Sequence, residues 1–158
     1  MDPDNGNVLV VDANNHRIQI FDKNGQFIHK FGKKGSGKGD LNDPLGIAIN
    51  SKKEIIVSEN DNHRLQIFDY NGNHLRFIGM NEIKSPVGIC LDDQDNIYVG
   101  NWNLGNEAKI KAFNNQSGKL IHSFGDESVL NTPCGVAFHH VLDKILVANY
   151  HNHTVCTF

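Results

Sequence analysis

Residues 44–79 read PLGIAINSKKEIIVSENDNHRLQIFDYNGNHLRFIG and hold four short apolar runs, at 46–49, 55–57, 65–68 and 75–78. Polar and turn-forming residues separate them, and runs of that length between such breaks read as strands rather than helices. Asp69-Tyr70-Asn71-Gly72 joins the last two runs. Asn-Gly suits a tight hairpin there, because both residues tolerate positive φ. A four-stranded meander of this size cannot cover both of its faces alone, so it needs neighbours built the same way.

The rest of the chain supplies them. Phe21, Phe68, Phe113 and Phe158 close the third run of each unit, at steps of 47, 45 and 45 residues. Gly32, Gly79 and Gly125 end the fourth run, and Pro44-Leu45-Gly46, Pro86-Val87-Gly88 and Pro133-Cys134-Gly135 open the first. Self-similarity at this period with four strands per unit predicts an all-β fold of radial, four-stranded antiparallel blades, a β-propeller. Helical repeats of similar period are excluded by the lack of helical apolar spacing. A WD40 blade would show Trp-Asp pairs, and Trp102, the only tryptophan, precedes Asn103.

With the strands of each unit lettered a to d, the chain starts inside a blade and stops inside another. The predicted blades are 1–32, 44–79, 86–125 and 133–158, with three, four, four and three strands, or about three and a half blades. Propellers carry roughly four to eight blades and close because the first meets the last. A partial propeller, a segment of a larger ring, is therefore expected, and self-association is one way to cover its open ends.

The repeat resembles the NHL family. Asn15-His16-Arg17-Ile18 and Asn62-His63-Arg64-Leu65 carry its signature, Asn152-His153-Thr154-Val155 keeps the first half, and 103–109 departs from it. The connector at 32–44, Gly32-Lys33-Lys34-Gly35-Ser36-Gly37-Lys38-Gly39 and on to Pro44, also looks like the family's link between blades. The likeness covers essentially the whole chain and implies a six-bladed ring that binds partners through loops on one face. It is closest to the TRIM-NHL context, where the propeller supplies substrate or RNA recognition to a ubiquitin ligase. The ligase part would need RING and B-box spacing that this chain lacks. Propellers resembling this one also include metal-dependent lyases and lactonases, the enzymatic alternative.

Composition narrows the choice. The net charge of −3 implies no strong pull toward nucleic acid or anionic lipid. Cys90, Cys134 and Cys156 are too few for a disulfide framework and suit a reducing compartment. No run is long enough to span a membrane and no secretory leader is expected before Asp2, so the expected location is cytoplasmic.

Connections b–c and d–a fall on one face of an up-and-down meander. The candidate binding residues there are His16, Arg17, Lys33, Lys34, Lys38, His63, Arg64, Trp102, His151 and His153. Asp12, Asp40, Asp43, Glu59, Asp61, Glu82, Glu107, Asp126 and Glu127 lie in the same connections. That mixture favours a protein partner over RNA, which would use the arginines and lysines on phosphates and Trp102 on a base. The stretch 32–39 nearly matches a phosphate loop, but Gly39 stands where Ser or Thr should be and no helix follows, so it reads as a flexible connector. His151-x-His153 could ligate a metal, yet His153 shares its repeat position with His16 and His63, which points to turn geometry. Asp22 and Asp69 read as turn partners and Cys90 as core filler. No catalytic constellation, metal or cofactor is expected.

Alternation predicts that Ile18, Ile20, Leu65, Ile67, Val8, Val10, Ile55, Val57, Ile97 and Val99 pack between blades, with Gln19 and Gln66 facing away from their isoleucine and leucine neighbours into polar surroundings. Gly46, Gly88 and Gly135 are expected to sit where a strands crowd. Arg17→Ala and Arg64→Ala are expected to leave the fold nearly intact.

Overall fold

A computed structural model describes residues 1–102, 109–125 and 128–158. Fourteen strands run in chain order as β1 (Val8–Asp12), β2 (Arg17–Phe21), β3 (Phe27–Phe31), β4 (Pro44–Ile49), β5 (Ile55–Glu59), β6 (Arg64–Phe68), β7 (His74–Ile78), β8 (Pro86–Leu91), β9 (Ile97–Asn101), β10 (Ile110–Phe113), β11 (Leu120–Phe124), β12 (Pro133–His139), β13 (Lys144–Asn149) and β14 (Thr154–Thr157). They form four antiparallel meanders, β1–β3, β4–β7, β8–β11 and β12–β14, called here the first to fourth sheets. The fold is all-β and propeller-like, as the repeat predicts.

The turns are made by side chains reading their own backbone. Asp22 Oδ1 accepts the amides of Asn24 and Gln26, and Asp69 Oδ1 those of Asn71 and Asn73. Gly25 and Gly72 follow at φ 80° and 85°, a region open to glycine at little cost. The two aspartates are thus turn partners. Three of the four recurrent phenylalanines sit at a bulge: the register shifts at Ile20/Phe21, Ile67/Phe68 and Ala112/Phe113.

Apolar residues on both faces of the middle sheets are buried, because each middle sheet has a neighbour on either side. Ile56, Leu65, Ile67 and Ile78 of the second sheet meet Ile89, Ile97, Val99 and Phe113 of the third. The opposite face of the second sheet, with Ile55, Val57 and Phe68, meets Leu9, Ile18 and Ile20 of the first. Ile145 and Val147 of the fourth pack on Ile110 of the third. Each such side chain contributes about 1.5–3 kcal/mol relative to exposure.

Ile18, Ile20, Leu65, Ile67, Ile55, Val57, Ile97 and Val99 thus pack between sheets as predicted. Val8 and Val10 do not. In the first sheet Leu9 is the inward residue, paired with Ile20, while Val10 pairs with Gln19 and is 39% exposed. The faces match those of Ile55 and Val57, but the first sheet has no sheet in front of it. Gln66 faces opposite Leu65 and Ile67 and is fully buried among polar groups.

The a strands β4, β8 and β12 lie side by side, and the glycines explain how. A Cβ at Gly46 would fall 2.3 Å from the carbonyl oxygen of Val87, and one at Gly88 2.4 Å from that of Cys134. Ser58 Oγ ties the first contact, accepting from Gly46 N at 2.7 Å and donating to Val87 O at 2.6 Å. Gly135 departs from the expectation: a Cβ there would meet only the Ala148 methyl at 3.4 Å, because no further a strand lies against it.

On the rim opposite the candidate loops, Arg76 is bidentate to Glu54, at 2.8 and 2.9 Å, and reaches Asn115 O of the third sheet. The hydrogen bonds from Arg76 lead in holding the Glu54 carboxyl down at about 2, with Asn50 helping, against partial burial.

Two measurements test this packing. Gly88→Val should lower Tm sharply, while Lys52→Ala, in an exposed turn, should stay within about 0.5 kcal/mol of the parent; equal tolerance in thermal melts would refute the close approach. The lowered Glu54 pKa means its stabilisation is complete above 4.5 and is lost as pH falls toward about 2. Glu54→Gln should therefore be less stable near neutrality and converge on the parent near pH 2. Parallel stability–pH curves would contradict the pairing.

Candidate functional site

The b–c loops and d–a connectors gather on one face, and a repeated device builds it. At the end of each b strand stands an acid or amide: Asp12, Glu59, Asn101 and Asn149. Three of them accept an amide from the preceding connector: Asn42 N to Glu59 Oε2, Lys84 N to Asn101 Oδ1 and Asn131 N to Asn149 Oδ1. Asp12 instead gathers Asn15, Arg17 and Gln19 at 2.9, 2.7 and 3.0 Å. Hydrogen bonds from Arg17 and then Asn15 hold its carboxyl below the usual range.

Glu59 does the same in the buried interior. Arg64 Nε donates to Glu59 Oε1 at 2.6 Å, Asn62 to Oε2 at 2.5 Å and Gln66 to Oε1 at 3.0 Å. The Arg64 guanidinium lies 4.0 Å from the Phe77 ring centroid and donates to the carbonyls of Ser36 and Gly37. Asn62 reaches Gly35 O, while Gln66 takes Gly39 N and gives to Asp40 O.

The connector at 32–43 is thus pinned to the second sheet rather than loose, which corrects the flexible reading. Its carbonyls at 35, 36 and 37 turn toward donors, the wrong polarity for a phosphate cradle. Its glycines serve the close fold: a Cβ on Gly35 would lie 2.6 Å from Asp40 Oδ2.

The histidines act as clasps. His16 and His63 adopt left-handed φ of 51° and 52°, and their Nδ1 atoms accept the amides of Asp43 and Ser85, each at 3.1 Å. Asp43 and Ser85 are themselves left-handed, at φ 47° and 49°, just before Pro44 and Pro86. Each clasp therefore ties a b–c turn of one sheet to the first a-strand residues of the next. A neutral ring is required, because Nδ1 must offer a lone pair. His151 Nδ1 lies 2.6 Å from Thr132 Oγ1, whereas His153, at φ 52°, is exposed.

Lys33, Lys34 and Lys38 are exposed, Lys33 standing 3.7 Å from Asp40. Trp102 is 43% exposed and its amide donates to Ser85 O. Met80, 56% exposed, flanks a groove of about 390 Å³ with Asn62, His63 and Ile83. So Lys33, Lys34, Lys38, His63 and Trp102 each face solvent, while Arg64 is buried against Glu59 and Arg17 is turned to Asp12. Glu107, Asp126 and Glu127 lie outside the described residues.

Elsewhere, burial and then Asp92 push the Cys90 thiol up to about 12, far from a usable nucleophile. Among the described residues no three His, Cys, Asp or Glu side chains group to hold a metal, and no helix is long and apolar enough to cross a membrane.

Comparison with known proteins agrees with this architecture. The 6-bladed β-propeller family matches residues 3–157. The chain belongs to that family. The propeller is 31% identical over 120 residues to Protein brain tumor of Drosophila melanogaster, covering 75% of this chain and 11% of that protein. It is 44% identical over 52 residues to RING finger protein nhl-1 of Caenorhabditis elegans, covering 33% of this chain and 5% of that one. The NHL-type resemblance stands with these relatives, although the chain spans only a small part of their length. A streptogramin B lyase structure superposes with TM-score 0.74 at 14% identity, over 97% of this propeller and 48% of the lyase. At that identity the likeness is one of fold.

The residues that sequence reasoning missed are the anchors Asp12 and Glu59 and the connector-holding Gln66. Their signal was present: Asp12, Glu59 and Asn149 each stand nine residues before a repeat phenylalanine.

Arg64 differs from expectation in what its loss would do. Arg64→Ala would strand the buried Glu59 carboxylate and release the connector, a loss of about 3–5 kcal/mol. Arg17→Ala breaks a solvent-screened pair with Asp12 and should cost far less. Urea denaturation of the two variants should separate them clearly; equal midpoints would show that the Glu59 network carries little.

Proposed function

We propose that this chain is a non-catalytic, NHL-type binding segment whose loop face recognises a protein partner in a cytoplasmic setting, in the manner of a substrate-recognition propeller of a ubiquitin ligase. The observation that carries the reading is the internal use of both signature arginines. Arg64 is committed to Glu59 and the connector, and Arg17 to Asp12. The basic groups left facing solvent around them include Lys33, Lys34, Lys38 and Lys84, with the acidic Asp61 and Glu82 exposed on the same connections. Such a surface neutralises few phosphates.

What remains exposed suits a protein. Trp102 and Met80 are residue types enriched in protein interfaces, and His63 lines one groove with Met80 and Lys84. RNA recognition is the competing reading, and it would rest on the lysines. Catalysis draws no support from the protonated Cys90 thiol or from the scattered histidines.

A fluorescence titration with a random single-stranded RNA pool separates the two. The expected outcome is weak binding, about 10⁻⁴–10⁻⁶ M at physiological salt, abolished by modest salt increase. In parallel, cross-linking in cells should recover a protein partner that the Trp102→Ala, Lys34→Glu double variant loses while keeping its Tm. Nanomolar, sequence-selective RNA binding would overturn the protein reading.

A further inference from the structure

The connector at 32–43 carries a serine hydroxyl that takes no part in joining the sheets. We propose that Ser36 is a phosphorylation site for a kinase that selects basic residues just before its target, and that the phosphate cancels the positive charge of this connector. Lys33 and Lys34 stand three and two residues before it, and Lys38 two residues after. Ser36 and all three lysines are exposed, and the Ser36 hydroxyl makes no hydrogen bond among the described residues. Other hydroxyls are engaged or enclosed. Ser51 Oγ donates to Asp95, Ser58 Oγ is buried and donates to Val87 O, Ser117 Oγ donates to Asn114, and Thr132 is buried.

The fold presents Ser36 outward by holding its backbone from beneath. Asn62 Nδ2 donates to Gly35 O at 2.9 Å, Arg64 Nη1 to Ser36 O at 2.9 Å and Arg64 Nη2 to Gly37 O at 3.3 Å. Lys33 O and Gly35 N pair with the main chain of the fully buried Leu41, at 2.8 and 3.1 Å. With the three carbonyls turned to the second sheet, the hydroxyl and the lysines of the same tip are left in water. A kinase reads its substrate in extended form, so 35–37 must lift off Asn62 and Arg64 for the transfer. Gly35 and Gly37, on either side of Ser36, permit that movement at small conformational cost.

The chemistry is phosphoryl transfer from magnesium-bound ATP. Ser36 Oγ attacks the γ-phosphorus, the bond to ADP breaks, and the hydroxyl proton passes to the carboxylate base of the kinase. Acidic groups in the kinase cleft meet Lys33 and Lys34, the kind of charge pattern by which kinases choose substrates. The product carries about −1.5 to −2 charge at pH 7. Residues 33–40 hold three lysines against Asp40, so the added charge brings the connector close to neutral. What that does to a bound partner rests on the protein-binding reading above; the site itself does not.

The test incubates the folded protein with magnesium-ATP and the catalytic subunit of a cyclic-AMP-dependent kinase, which has this basic preference, and maps the phosphate by tandem mass spectrometry. Phosphate is expected at Ser36 and lost in Ser36→Ala. The Lys33→Ala, Lys34→Ala double variant should lower kcat/KM at least about tenfold with Tm unchanged, and Asn62→Ala should raise it by freeing Gly35 O. No incorporation at Ser36 of the folded protein would overturn the proposal. So would modification seen only after thermal unfolding, or a rate indifferent to the lysine substitutions. The readout is covalent phosphate, so it succeeds or fails independently of any partner.

Discussion

Main chain packed directly on main chain is the constraint that organises this molecule. Where β4 meets β8 and β8 meets β12, the carbonyls of Val87 and Cys134 occupy the space that a side chain would take at Gly46 and Gly88. Two sheets can come so near only if the residue at the contact has no Cβ. Once that distance is set, the apolar rows behind it are forced into register. Ile56, Leu65 and Ile67 then face Ile97, Val99 and Phe113 at core packing distance, and each connector has to span a fixed gap to reach the next a strand.

The connectors solve that problem with polar groups. Glu59 is taken out of water altogether, a costly step for a carboxylate unless it is fully bonded. Arg64, Asn62, Gln66 and the Asn42 amide satisfy it, and the same arginine and glutamine hold the backbone of the long connector. The residues that give the repeat its signature are therefore spent mainly on joining one sheet to the next. The side chains of Trp102, Met80, Lys33, Lys34 and Lys38 take no part in that joining and are left facing solvent.

Most of the fold was legible because the repeat prints the same physics several times. Strand alternation, Asn-Gly turns and the recurring phenylalanine all pointed to one arrangement, and Ile18, Leu65 and Ile97 lie where alternation places them. Val8 and Val10 escaped because a one-dimensional pattern does not say whether a neighbour covers the face. Gly135 escaped for the same reason. Arg17 and Arg64 look alike in sequence, and only the depth of Glu59 (0% exposed) beside the partly open Asp12 separates a buried ion pair from a surface one. The candidate surface was the least legible part, since exposure of a lysine or tryptophan depends on which connector folds over it.

The histidine clasps have a consequence for how the structure comes apart. Each joins the turn of one unit to the left-handed residue that begins the next, so no unit completes its own hydrogen bonding. A left-handed residue before proline is a strained conformation that an isolated unit would relax. Stability is then shared between nearest neighbours, as in a linear array. Opening of one sheet breaks the clasp it shares with the next, so loss of structure should pass from sheet to sheet, and the sheets would behave less like one cooperative block than like a row of coupled segments.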